Sequence, residues 1–279
     1  MTENLLQMVA GELTGKGDSH RCGTKVIGLE LDILGKTVGF RIGVEKNQAR
    51  LSDIVPLART LSKKITEVVF QRIRSDGGHI PCCEGCSICC SNLVPLSVPE
   101  AFRLNEEISA APPNRRESIR RACILASRLI LSQKPPGPST HQNGKASPAC
   151  QADLNPVSDW YASLNLACPF LDNDLCTIYE QRPLACREHF VEGSARACRG
   201  QRGTAAVLQM PVRVLNALSQ LASELEATSV EAVLLPLALA WCEENPERAE
   251  RTWPSVMMVK RFVEIIKAMA CQNSKTLVT

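Results

Sequence analysis

Two crowded stretches of cysteine constrain this chain more than any other feature. The first is Cys82-Cys83-Glu84-Gly85-Cys86-Ser87-Ile88-Cys89-Cys90. The second opens at Cys168-Pro169-Phe170-Leu171, passes Cys176 and the run Arg182-Pro183-Leu184-Ala185-Cys186-Arg187, and ends at Cys198. Nine of the fourteen cysteines lie in these windows. Thiols spaced two or three residues apart on a tight turn bend back toward a common centre and can share one ion or cluster. Adjacent thiols such as Cys82/Cys83 and Cys89/Cys90 are poorly placed to bridge each other as disulfides.

The compartment decides how such cysteines are read. The first fifteen residues contain Glu3 and Glu12 and no basic start leading to a cleavage site, so no secretory signal is expected. The longest apolar run, residues 232–241, is interrupted by Pro236 and falls short of the roughly 20 residues of a membrane span. The expectation is a cytoplasmic chain with no membrane segment, in which many cysteines mean metal binding rather than disulfides. A net charge of +3 over 279 residues is too small to argue for nucleic acid. With three Trp, two Tyr and six Phe, the core must rest on Leu, Val, Ile and Ala.

Around the windows the pattern predicts a mainly α fold with a small N-terminal β-hairpin (α+β) and a loop-rich cysteine centre held between helices. Residues 1–24 show no firm periodicity and read as a loose or weakly helical start. Ile27, Leu29, Leu31 and Ile33 then alternate with polar or small residues, and Val38, Phe40, Ile42 and Val44 do so after Gly35, which predicts a hairpin with a type II′ turn. Helical spacing of Ile54, Ala58, Leu61, Ile65, Val68 and Ile73 follows, with Ser52 as cap and Asp76-Gly77-Gly78 as stop. Ser97 caps a short helix, and Asn114 caps a longer one whose inner face is Ile119, Cys123, Ala126 and Ile130. Its first turns carry Arg115, Arg116, Arg120 and Arg121, read as a solvated basic face in preference to a phosphate or acidic-partner site. Residues 135–150 are a flexible insert rich in Pro and Gly. Beyond Cys198 three helices are expected, at 207–227, 229–244 with Ser229 as cap, and 254–270, with Cys242 as a packed core thiol. The resulting division is an N-terminal hairpin segment at 1–50, a cysteine-cluster metal-binding domain at 51–200, and a C-terminal helical part at 201–279.

The spacing Cys82-x3-Cys86-x2-Cys89-Cys90, followed by Cys168-Pro-Phe-Leu, Cys176-x-Ile-Tyr, Arg182-Pro and Cys186-Arg187, resembles the YkgJ-type cysteine-cluster family. That family is described as chelating zinc or iron and is named for its CxxCxxCC signature. In their cysteine block, the flagellin lysine N-methylases of enteric bacteria resemble the same domain. The resemblance implies the ligands Cys82, Cys86, Cys89, Cys90, Cys168, Cys176, Cys186 and Cys198. The Ile-Pro-Cys lead-in favours Cys82 over Cys83 as the first of them. Eight thiolates satisfy two zinc ions, or one four-iron cubane with four left over.

The second block is looser than a zinc knuckle, with gaps of seven, nine and eleven residues, which favours an iron–sulfur cluster over zinc. Arg182 or Arg187 can donate to cluster sulfurs or hold an anionic substrate, with an ordinary salt bridge as the plain alternative for each. His189 is a possible nitrogen ligand, with a packing role preferred. No dinucleotide fingerprint, phosphate loop or nucleophile elbow is present in the sequence. The function expected is a metal-binding protein with a redox, sensing or metal-handling role and a possible protein partner. The alternatives are a protein-modifying enzyme like the lysine N-methylases and a zinc-stapled interaction module.

Overall fold

In the computed structural model, residues 6–10, 24–133, 155–195, 198 and 207–276 are described. The insert expected at 135–150, His20 and His141 lie outside them. The fold is mainly helical with a small N-terminal sheet, as the pattern predicts.

The chain opens with β1 (Leu6–Ala10), β2 (Thr24–Ile33) and β3 (Lys36–Glu45), which form an antiparallel sheet in the order β1-β3-β2. The strand at Leu6–Ala10 replaces the loose start read from the sequence and covers the free edge of the hairpin. Five residues are too few for alternation to stand out, and the partner β3 supplies the pairing. In the hairpin, Leu29 faces Phe40 and Ile33 faces Lys36 across the strands. Leu29, Leu31, Ile33, Phe40, Ile42 and Val44 all turn inward and are buried, as the alternation requires. The turn differs from the expected type II′. Both central residues, Leu34 (φ 55°) and Gly35 (φ 80°), are left-handed, which makes it type I′. The Asp32 carboxylate accepts the Gly35 N–H at 2.9 Å and steadies it.

Next come β4 (Gln48–Arg50) and, after a 3-10 turn at Leu51–Ile54, α1 (Val55–Ser75). Pro56 sits in the first turn of α1, where its missing N–H costs nothing. Ser52 is not the cap expected of it; it lies in the 3-10 turn and its hydroxyl donates to Glu106 at 2.8 Å. Then follow β5 (Pro95–Ser97), α2 (Val98–Ser109), α3 (Pro113–Ser132), α4 (Asn155–Ser163), β6 (Leu171–Asp172), β7 (Leu175–Cys176) and α5 (Leu184–Arg187). Ser97 caps α2 as expected, in a full capping box completed by Glu100. α3 starts at Pro113 with Pro112 as the flanking residue, so Asn114 lies inside it instead of capping it.

The C-terminal part is α6 (Val214–Glu226), β8 (Ala232–Leu234), α7 (Ala238–Glu244), α8 (Pro246–Ala249), β9 (Thr252–Pro254) and α9 (Ser255–Thr276). The single helix expected at 229–244 is therefore a strand, a 3-10 turn and a short helix. Pro236 prevents one continuous helix, and β8 pairs antiparallel with β5 far upstream. Likewise β9 pairs with β4. Among the described residues no helix is long and apolar enough to cross a membrane.

Two apolar cores result. The first joins the inner face of the sheet to α1, α6 and α9, with Phe40, Leu61, Leu221 and Phe262 fully enclosed. The second joins α2, α3 and α7, with Leu96, Leu104, Cys123, Cys242, Phe170 and Ile178 buried together. Cys242 is thus the packed core thiol its stripe suggested. Phe170 and Ile178 anchor the second cysteine window on the second core, while Leu184 anchors it on the first.

Candidate metal centre

The twelve described cysteines are all free thiols. The first window follows α1, whose end is fixed by Gly77 at φ 81° and by Gly78 donating to the Ile73 carbonyl at 2.9 Å. Gly85, at φ 86°, lets the chain reverse between Cys82 and Cys86, and the Cys86 N–H donates to the Cys83 carbonyl at 3.2 Å. A 3-10 turn over Ile88–Ser91 then presents Cys89 and Cys90.

The second window is built from equally short pieces. Strands β6 and β7 meet in a tight hairpin turned by Asn173 and Asp174, both with positive φ. Arg182 is extended (φ −47°, ψ 140°), as a residue before proline should be. Its guanidinium lies 3.6 Å from the centre of the Tyr179 ring. Cys186 rides on α5, a single helical turn.

Hydrogen bonds tie the two windows together. The Cys168 N–H donates to the Cys90 carbonyl at 2.7 Å. The Ser87 hydroxyl donates to Asp174 at 2.9 Å, and the Asn92 amide donates to the Cys198 carbonyl at 3.3 Å. The sequence reading missed Ser87 and Asn92, because their partners lie 87 and 106 residues away and nothing local marks them.

The thiols act on one another. The Cys90 thiol donates to Cys89, which holds the Cys89 pKa down and drives that of Cys90 up. A charged Cys89 in turn raises Cys82, Cys168, Cys176, Cys186 and Cys198, on top of the larger effect of burial on each. Burial pushes Cys168 and Cys198 up to about 11. Cys86 adds to the charge felt by Cys82 and Cys198. All eight motif thiols therefore share one electrostatic neighbourhood. Cys83 is exposed, unlike Cys82 beside it.

Backbone N–H groups oppose the burial cost. Val191 donates to Cys82, Phe170 to Cys168 and Ile178 to Cys176, and each bond favours the thiolate. Arg182 favours the thiolates of Cys89, Cys176 and Cys186 through its charge. Arg187 is spent on the backbone instead, donating to the Arg182 carbonyl at 2.8 Å and to the Glu180 carbonyl. Burial and then Arg213 lower the His189 pKa, and its buried Nε2 has no hydrogen-bond partner among the described residues.

The four arginines in the first turns of α3 are likewise committed within the chain. Arg115 donates to the Thr177 carbonyl, Arg116 to the Ser109 carbonyl at 3.0 Å, and Arg120 and Arg121 pair with Glu243 and Glu117. Cys123, on the inner face of α3, is buried and lies within reach of the Cys168 charge.

Among the described residues no three His, Cys, Asp or Glu side chains stand close enough to hold an ion as they are. The donor chemistry nevertheless fits a soft metal. Thiols predominate, the backbone supplies N–H groups to sulfur, and the nearby charged side chain is a cation. Residues 82–202 match the sequence profile of the family CxxCxxCC, described as "Putative zinc- or iron-chelating domain". The match opens on Cys82 and spans both windows. No curated protein and no solved structure matches the chain.

Proposed function

We propose, starting from the match of residues 82–202 to the CxxCxxCC family described as chelating zinc or iron, that this chain holds an iron–sulfur cluster between its two cysteine windows. The cluster is of the four-iron type. The ligands are drawn from Cys82, Cys86, Cys89, Cys90, Cys168, Cys176, Cys186 and Cys198. The observation that carries the reading is that the two windows are tied together, the Cys168 N–H donating to the Cys90 carbonyl at 2.7 Å, the Ser87 hydroxyl to Asp174 at 2.9 Å and the Asn92 amide to the Cys198 carbonyl at 3.3 Å. Zinc asks for four thiolates in a closed tetrahedron, and the surplus and irregular spacing here favour a cluster.

When bound, such a cluster supplies one-electron exchange or a labile sensor. The chain's own part is to exclude water and to set charge. Phe170 and Ile178 close the apolar side, N–H groups of Val191, Phe170 and Ile178 steady the sulfurs, and Arg182 offsets negative charge. Arg187 braces the Arg182 backbone. A redox, sensing or metal-handling role follows, with a protein partner as the other party to the exchange. The free thiols fit a reducing compartment, and we place the protein in the cytoplasm.

Anaerobic isolation from iron-replete cells tests this. The protein should be brown, bleach with dithionite, and carry iron and acid-labile sulfide in similar amounts. A colourless protein with stoichiometric zinc and no labile sulfide would overturn it.

A further inference from the structure

Helix α5, which carries Cys186, spans only Leu184–Arg187, and one isolated turn has little stability of its own. Two buried carboxylates brace it from outside. Glu100 is 1 % exposed; its Oε2 accepts the Ser97 hydroxyl at 2.8 Å and the Ser97 N–H at 3.1 Å, completing the capping box. Its other oxygen has no part in that box. Oε1 accepts the N–H of Leu184, 84 residues downstream, at 2.6 Å. At the far end, the Glu188 N–H donates to the Leu184 carbonyl at 2.9 Å, and its carboxylate accepts the Val214 N–H at 2.9 Å. A capping glutamate is ordinarily solvated, and burying one is costly unless donors meet both oxygens. Glu100 therefore does something more than capping α2: it fixes where α5 begins.

We propose that Glu100 is a positioning residue of the metal site, holding the Leu184 turn and through it the Cys186 thiol against the first cysteine window. This rests on the reading of Cys186 as a ligand. Leu184 is fully buried, so its N–H finds no water when the acceptor is lost, and the turn must shift. Ser97 supplies a control, because removing its hydroxyl weakens the cap while leaving the Leu184 contact in place.

The test compares full-length E100M, E100Q, S97A and C186S, reduced and anaerobic. Zinc affinity is read by competition with a chromophoric chelator. Alkylation of Cys186 by iodoacetamide in the metal-free protein is followed by mass spectrometry. E100M should bind zinc about 10- to 100-fold more weakly, the range for lost outer-shell support of a ligand, and Cys186 should be alkylated faster. E100Q, with one oxygen left for donors on both sides, should fall between E100M and wild type. S97A should leave both readouts near wild type. If E100M does not fold, faster alkylation in E100Q than in S97A upholds the proposal, and equal rates overturn it. Equal zinc losses in S97A and E100M overturn it too. C186S separates the two layers. Wild-type iron and labile sulfide per chain in anaerobically isolated C186S remove Cys186 from the ligand set and the proposal with it. Zinc loss in C186S without loss in E100M defeats the positioning role alone.

Discussion

The sheet-and-helix core and the cysteine region sit side by side and are held in different ways. In the first, Leu29, Phe40, Leu61, Leu221 and Phe262 are enclosed by long elements, α1 of 21 residues and α9 of 22 among them. In the second, the elements are two-residue strands and a four-residue helix, and most of the motif thiols are half-buried. The first region can reach stability by apolar burial alone. The second has few such contacts of its own and leans on Phe170, Ile178 and Leu184, three anchors set into neighbouring cores. A chain arranged this way stabilises its scaffold by burial and leaves the site to be completed by what it binds.

The comparison can be broken first by removing metal. Binding to thiolates that do not preform in the unfolded chain adds folding free energy, on the order of several kcal/mol. Chelation should raise hydrogen exchange and protease cutting across residues 82–198 while the hairpin and α9 stay protected. Uniform loosening, or none after verified metal loss, would mean the two regions are not distinct.

The converse is a lesion in the scaffold. Phe262 is fully enclosed, and Phe262→Ala should cost about 3–5 kcal/mol of global stability by transfer and cavity terms. Metal bound per folded chain should not change. A smaller effect is expected of Cys242→Ser, which places a hydroxyl in the second core at a cost of about 1–3 kcal/mol. It too should leave metal content intact, since Cys242 touches Glu106 and Glu243 electrostatically and no motif thiol.

The same contrast explains what could be read from sequence. The hairpin was legible because alternation over ten-residue strands repeats often enough to be seen, and Ser97 announced the start of α2. The turn type was missed because Leu34 takes a left-handed φ that glycine would be expected to take alone. Strands β4, β5, β8 and β9 have three residues each, too few for any period, and they form only through partners more than a hundred residues away. At the site, the motif put forward the eight thiols, Arg182 and Arg187 as candidates. Their support was invisible: nothing near Glu100 points to Leu184, and nothing near Val191 points to Cys82. Ligand candidates belong to the sequence, whereas the groups that hold them belong to the tertiary fold.

Joint ligation is the central claim, and metal content of three variants tests it most directly. Metal and labile sulfide should be quantified per chain for Cys89→Ser, Cys186→Ser and the double variant, each purified anaerobically. If the windows build one centre, each single change should remove most of the bound metal, and the double variant should lose little more than either. Partial, additive losses, with each window keeping its own share when the other is cut, would contradict a shared site.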